Sequence, residues 1–255
     1  MGLSLKDQAK TIAPRRDLEL DALSEILMKK RFITCHSYVQ SEINMLMHVG
    51  DSMGFMVNTF THILEGYKVA DKMKQRNIYP STFSDWWAYK MEVKDAIPYN
   101  PAIMYAMGLK VCINSDDAEM GRRLNQEAGK SVKYGGVPEQ DAFKMVSLNP
   151  SMALHLDKHM GSIKVGKDAD LVLWTDDPLS IYAKVDKTII EGVVYYDAKK
   201  DEQLREDIRK ERARLIQKMI QEKNGGEKTQ PPRTKRPREY HCEDVENYGS
   251  FGNEF

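Results

Sequence analysis

From residue 15 to residue 156 the sequence alternates between two hydrophobic periods, and this alternation limits the possible folds more than any other feature. RRDLELDALSEILMKK (15–30) places Leu18, Leu20, Leu23, Ile26 and Leu27 at helical spacing. RFITCH (31–36), MVNTFTH (56–62), IYPSTFS (78–84, with Pro80 inside it) and LKVCINSD (109–116) are short strand-like runs. QSEINMLMHVGDSMGF (40–55), EGYKVADKMKQR (65–76) and NPAIMYAMG (100–108) read as helices between them. EMGRRLNQEAGKSVKYGG (119–136) reads as one helix with a double-glycine stop, and PEQDAFKMVSLNPSMALHL (138–156) as one or two more. Ser41 is expected to cap the helix at 40–55 and Gly54 to end it. Strands separated by helices cannot close as hairpins, so the pattern predicts an α/β fold with a parallel sheet and crossover helices.

After residue 160 the character changes. GSIKVGKDADLVLWTDDP and VDKTIIEGVVYYD are glycine-punctuated strands with no helix between them, which predicts a second, smaller β element. KKDEQLREDIRKERARLIQKMIQEK then puts Leu204, Ile208, Leu215, Met219 and Ile220 on roughly one stripe of a charged, solvent-facing helix. The expected divisions are 1–159, 160–198, the helix at 199–223, and a flexible Gly/Pro/Lys/Arg-rich tail at 224–255.

Charge and composition exclude several functions. The 255 residues carry 38 basic and 38 acidic side chains, so no net field draws the chain to nucleic acid or to an anionic membrane. PPRTKRPRE (231–239) resembles a nucleic-acid or nuclear-import patch, but a solvated tail is the stronger reading, and no nucleic-acid partner is expected. No apolar run reaches the ~18 residues of a membrane span, and no membrane partner is expected. MGLSLKDQAK lacks the basic start and apolar core of a signal peptide, which makes the cytoplasm the default location. Lys6 stands where a myristoylation pattern needs Ser or Thr. Cys35, Cys112 and Cys242 form neither a disulfide framework nor a CxxC motif.

The candidate chemistry lies at the strand ends. The first run ends in His36, the second in His62 and the fourth in Asp116. Parallel sheets and barrels gather ligands at the carboxyl ends of their strands. Imidazole and carboxylate are good ligands for zinc or a similar divalent ion. Such an ion lowers the pKa of bound water to roughly 7, and a neighbouring carboxylate can move its proton. Taken singly, each residue has a plainer role. A lone His at a strand end is more often a hydrogen-bonded structural residue, and Asp116 or Asp117 before AEM suits a helix cap. His48, His155 and His159 fit helix surfaces or ends.

GSIKVGKDADLVLWTDDPLSIYAKVDKTIIEGVVYYD (161–197) resembles the C-terminal end of the amidohydrolase superfamily, particularly its imidazolonepropionase-like and dihydroorotase-like members. CHSYVQSEI around His36, THILEGYKVAD around His62, NSDD at Asp116 and SLNPSMAL at 147–154 follow in that superfamily's order, so the resemblance covers roughly 15–197. It implies strands five to eight of a TIM-like (β/α)8 barrel, followed by part of a small β-sandwich. It also implies metal-dependent hydrolysis of C–N bonds in non-peptide or cyclic amides, with zinc the first choice of metal and iron or manganese the alternatives. His36, His62 and Asp116 would be metal ligands, and Asp116 would also be the proton shuttle. Asp117 would cap the next helix. Trp86 and Trp87, on the loop at 84–100, together with Tyr67, would contact a small-molecule substrate. Packing at the barrel rim is an equal reading for the two tryptophans.

The superfamily's first strand carries a His-x-His pair, and this sequence contains none. Its strand-four lysine or glutamate has no counterpart before His36. Four strands of eight leave open edges and an uncovered interior. The expectation is therefore a chain that needs a complementary N-terminal half or a second copy. The alternative is a non-catalytic, truncated pseudoenzyme or assembly subunit that uses its open face for docking.

Overall fold

The computed structural model describes residues 15–228 and Gln230, apart from Trp87. Trp87, Cys242 and nearly all of the tail lie outside those residues.

Helix α1 (Leu18–Leu27) starts where Asp17 accepts the amide protons of Glu19 and Leu20. Strands β1 (Ile33–His36), β2 (Val57–Thr61), β3 (Tyr79–Thr82) and β4 (Cys112–Ile113) follow, forming one four-stranded sheet in that order with every neighbouring pair parallel. Helix α2 (Gln40–Met53) joins β1 to β2. A 3-10 turn (Gly66–Val69) and α3 (Ala70–Gln75) join β2 to β3, and a 3-10 turn (Met91–Val93) and α4 (Asn100–Ala106) join β3 to β4. Sequential parallel strands with helices on one side make a barrel-like wall.

Register sorts the two faces of this wall. Ile33, Cys35, Val57 and Phe60 pack outward with Ile43, Met47, Met73 and Met104. Thr34 pairs with Thr59, and Thr59 with Tyr79, so the concave face carries hydroxyls where complete barrels carry bulky aliphatics. The outer edge of β4 is covered: Ile113 N–H donates to Met145 O at 2.9 Å, and Asn149 Nδ2 donates to Val111 O at 2.7 Å. β1 is the edge strand on the other side.

Three local expectations need correction. Helix α2 begins after Val39 with no side-chain cap of its own; Gln40 N–H instead donates to Glu65 Oε2 at 3.0 Å, a carboxylate supplied by the segment after β2. Gly54 does end α2, at φ 79°. The helix expected at 119–136 is two helices, α5 (Ala118–Gly121) and α6 (Leu124–Gly135). Arg123 leaves helical geometry at φ −136°, ψ 40°, where Gly121 and two exposed arginines give the turn nothing to pack on. The run at 109–116 forms only two residues of strand, because the chain bends into the Asp117 cap. Helices α7 (Glu139–Lys144) and α8 (Leu148–Ala153) close this region.

Strands β5 (Leu171–Trp174), β6 (Val185–Ile190) and β7 (Val193–Asp197) form a separate antiparallel sheet in that order. Glu191 and Gly192, at φ 49° and 79°, make the two-residue turn between β6 and β7. Asp197 then caps α9 (Ala198–Asn224) by accepting the amide protons of Lys199 and Lys200. The stripe on α9 is exposed, with Ile208 at 64% and Met219 at 52%. Among the described residues no helix is long and apolar enough to cross a membrane.

Candidate functional site

Adjacent parallel strands in register bring the last residue of β1 beside the residue just past β2. His36 Nδ1 and His62 Nε2 lie 2.6 Å apart, one donating and the other accepting, with ring centroids at 4.6 Å. His36 is exposed on the concave side, whereas His62 is 3% exposed. His62 takes φ 48°, a left-handed conformation that a histidine adopts only when its surroundings hold it there.

Those surroundings are specific. Asn100, fully buried at the start of α4, donates through Nδ2 to Ile63 O and to Thr82 Oγ1, each at 3.0 Å. Its Oδ1 accepts Tyr67 N–H at 2.8 Å. One side chain thus ties the segment after β2 to the end of β3. Tyr38 stacks on His62 at 4.2 Å between centroids, and Phe83 lies 5.8 Å from it. His62 Nδ1 and Tyr38 OH are buried with no hydrogen-bond partner among the described residues.

Burial pushes the pKa of His62 down to about 4; Asp116 opposes the shift, while His36 and Lys90 add to it. The ring is therefore neutral at pH 7, with one nitrogen protonated and the other carrying an available lone pair. The sign of the stability effect follows from linkage. Between pH 6.5 and about 4 the unfolded chain takes up a proton that the folded chain refuses. Stability attributable to His62 is complete above pH 6.5 and falls through that window, by about 2 kcal/mol once water at the open mouth is allowed for. Urea midpoints measured from pH 7.5 to 4.5 should fall more steeply for the wild type than for His62→Asn, which tolerates left-handed φ and does not titrate.

Asp116 is half-buried on the segment after β4, and its field reaches His62. Asp117 is the cap of α5, accepting the amide protons of Glu119 and Met120 at 2.9 Å. Of the aromatic residues singled out, Trp86 joins the site through Phe83, at 4.5 Å between centroids. Tyr67 is turned elsewhere, its hydroxyl donating to Asp95 O at 2.9 Å. Sequence reasoning missed Asn100, Tyr38 and Lys90. Tyr38 follows His36 by two residues and so had a positional signal; Asn100 reads as an ordinary first residue of a helix.

A metal requires a further test. The donor types are right, but the arrangement is not. Imidazole nitrogens sharing a tetrahedral zinc stand about 3.3 Å apart, given bonds of about 2.0 Å. Here the nitrogens are at 2.6 Å and bonded to each other. Among the described residues no group of three His, Cys, Asp or Glu side chains could hold an ion. The described residues do not form a metal centre by themselves.

Residues 48–199 match the sequence profile of the Amidohydrolase family. The amidohydrolase tasK of Hapsidospora irregularis is 27% identical over 186 residues, which cover 71% of this chain and 19% of that protein. An amidohydrolase from Thermotoga maritima superposes with a TM-score of 0.68 at 24% identity, over 76% of this chain and 50% of that one. An adenosine deaminase from Xanthomonas campestris with bound zinc superposes with a TM-score of 0.54 at 14% identity, over 78% of this chain and 54% of its own. The chain thus spans half or less of the tasK and Thermotoga proteins.

Proposed function

From the premise that the chain belongs to the amidohydrolase family, we propose that it supplies the C-terminal half of a hydrolase site acting on C–N bonds of non-peptide or cyclic amides. In this reading β1 to β4 are strands five to eight of a (β/α)8 barrel. The observation that carries the reading is the convergence of His36 and His62 at the ends of neighbouring parallel strands, with the field of Asp116 on His62. Asp116, half-buried and with its field on the neutral His62 ring, takes a proton from the attacking water and returns it to the leaving nitrogen. His36, exposed on the concave side, meets the substrate, while His62 fixes its orientation. A divalent metal, zinc first and iron or manganese next, belongs to this function only when another segment brings further ligands. That segment is a complementary N-terminal half or a second copy.

The test pairs the full chain with a co-produced N-terminal half of an amidohydrolase-family protein. Metal content and amide hydrolysis are measured beside His36→Ala and Asp116→Asn. Metal at near-stoichiometric level and hydrolysis in the complex, both lost in the variants, are the expected results. A folded complex that binds no metal and cleaves no amide overturns the proposal. That outcome favours the second reading, a non-catalytic assembly subunit, which is supported by the closed His36–His62 hydrogen bond.

A further inference from the structure

Helix α9 is 27 residues long and none of its residues is buried. It leaves the small sheet directly after β7, whose last residue, Asp197, is its cap. A helix standing alone in water is marginal, and its exposed ion pairs, such as Arg205–Asp201 and Arg214–Glu211, add little. Most helical stability in proteins comes from packing one apolar face, and α9 has such a face unpacked.

The face has a period. Leu204 and Leu215 are eleven residues apart, and so are Ile208 and Met219. All four are exposed. Eleven residues make three turns, so the four fall on one line along α9 with a slight drift, the spacing that supports a right-handed supercoil. The charges keep the same period. Glu211 and Arg212 come between the two apolar pairs, and Glu222 and Lys223 follow the second pair at the same interval. Lys200 and Asp201 hold these places one interval earlier, with the signs reversed. A helix turns by about 100° per residue, so Glu211 and Glu222 flank the apolar line on one side and Arg212 and Lys223 on the other. Arg212, Glu222 and Lys223 have no ion pair among the described residues, and Glu211 has Arg214 of its own exposed turn.

This order of charges selects the occupant. In a two-fold antiparallel pair that matches Leu204 with Met219 and Ile208 with Leu215, the same flank of each helix meets. Glu211 then faces Glu211 of the second copy, and Arg212 faces Arg212. In a parallel pair in register, opposite flanks meet. Glu211 of each copy then faces Arg212 of the other, and Glu222 faces Lys223. We propose that α9 is a dimerisation helix, pairing parallel and in register with α9 of a second copy of this chain. Leu204, Ile208, Leu215 and Met219 form the seam of a two-stranded coiled coil of eleven-residue period. Because α9 follows β7 directly, the same arrangement brings the exposed Val193 and Tyr195 of both copies to one end of the pair. The pairing is independent of the histidine site and of the hydrolase reading.

The test is sedimentation equilibrium of the full chain between about 1 and 100 µM. The wild type is expected to reach twice the chain mass at the upper end, and Leu215→Asp to keep the single mass throughout. Urea midpoints at the dilute end, read by tryptophan fluorescence, should agree for the two proteins, since α9 contains no tryptophan and Leu215 is exposed. Glu211→Lys and Arg212→Glu should each weaken the dimer about ten-fold, because each turns two attractive cross-helix pairs into repulsive ones. Both changes together restore opposite charges across the seam and should bring the dissociation constant back to about the wild-type value. A monomeric wild type, a dimer that survives Leu215→Asp, or a dimer indifferent to both single charge reversals overturns the proposal. The last result is the one that an antiparallel pair would give.

Discussion

Asn100→Ala is expected to cost about 3 kcal/mol of stability, because it leaves Tyr67 N–H without its buried partner and removes one of the hydrogen bonds made by Ile63 O and by Thr82 Oγ1. Buried amide groups tied to three separate points are not replaced by water when nothing opens toward solvent, and Asn100 is 0% exposed. The expected signature is more than a lower urea midpoint. Hydrogen exchange at Ile63 and Leu64 should accelerate in the folded state, since this strut fixes the segment that holds His62 in its left-handed conformation. Asn100→Asp should recover little, because it restores the acceptor for Tyr67 N–H but removes both donors. An unchanged midpoint for Asn100→Ala would mean that the His62 segment is held by its apolar neighbours alone.

The second large effect lies under the same loop. Glu127 is 4% exposed, accepts a hydrogen bond from Ser84 Oγ, and pairs with Lys130 Nζ at 2.9 Å. Burial works against the charge on Lys130, but Asp85 and Glu127 outweigh it and hold its pKa above the ordinary lysine value. Lys130→Met removes a cation that serves two carboxylates, Glu127 deeply buried and Asp85 partly so. The expected loss is about 2–3 kcal/mol, below the full range for a broken buried pair because Lys130 keeps some exposure. Adding Glu127→Gln to Lys130→Met should recover at least half of that loss, since the amide keeps the Ser84 contact without a buried charge. Thermal or urea unfolding of the two single variants and the double variant measures the coupling directly. Additive losses would mean that the two side chains act independently.

These two struts show which parts of the molecule can be read from sequence. The parallel sheet was legible because Ile33, Cys35, Val57 and Phe60 face one way, and the helices between them carry matching apolar stripes. His36 and His62 were legible because strand ends in such a sheet converge, whatever the details of packing. Asp117 was legible as a cap because Asp before a helix is local chemistry. Asn100, Glu65 and Lys130 were not legible, because each works on partners far away in the chain: Ile63, Gln40 and Asp85. No local period records such a contact. The break at Arg123 escaped for a related reason. The apolar spacing of 119–136 runs on through it, and only the absence of packing around Gly121 ends the first turn. The metal set was legible as residue types but not as geometry, since a hydrogen bond between two imidazoles and a shared ion ask for the same strand ends.

The hydroxyl-lined concave wall has a thermodynamic consequence. Along it Thr34 on the edge strand is exposed, Tyr79 is half-buried, and Thr59 between them is buried. A chain that completes this wall adds backbone hydrogen bonds along the edge strand β1 and covers hydroxyl-bearing side chains there more than hydrocarbon. Heat-capacity change on association tracks apolar burial. Docking at the wall should therefore proceed with a small heat-capacity change and an affinity that varies little with temperature. The exposed apolar residues Tyr195 and Val193 on β7 would give their part of any joining surface the opposite behaviour. Calorimetry at several temperatures could in this way tell which of the two faces a partner has closed.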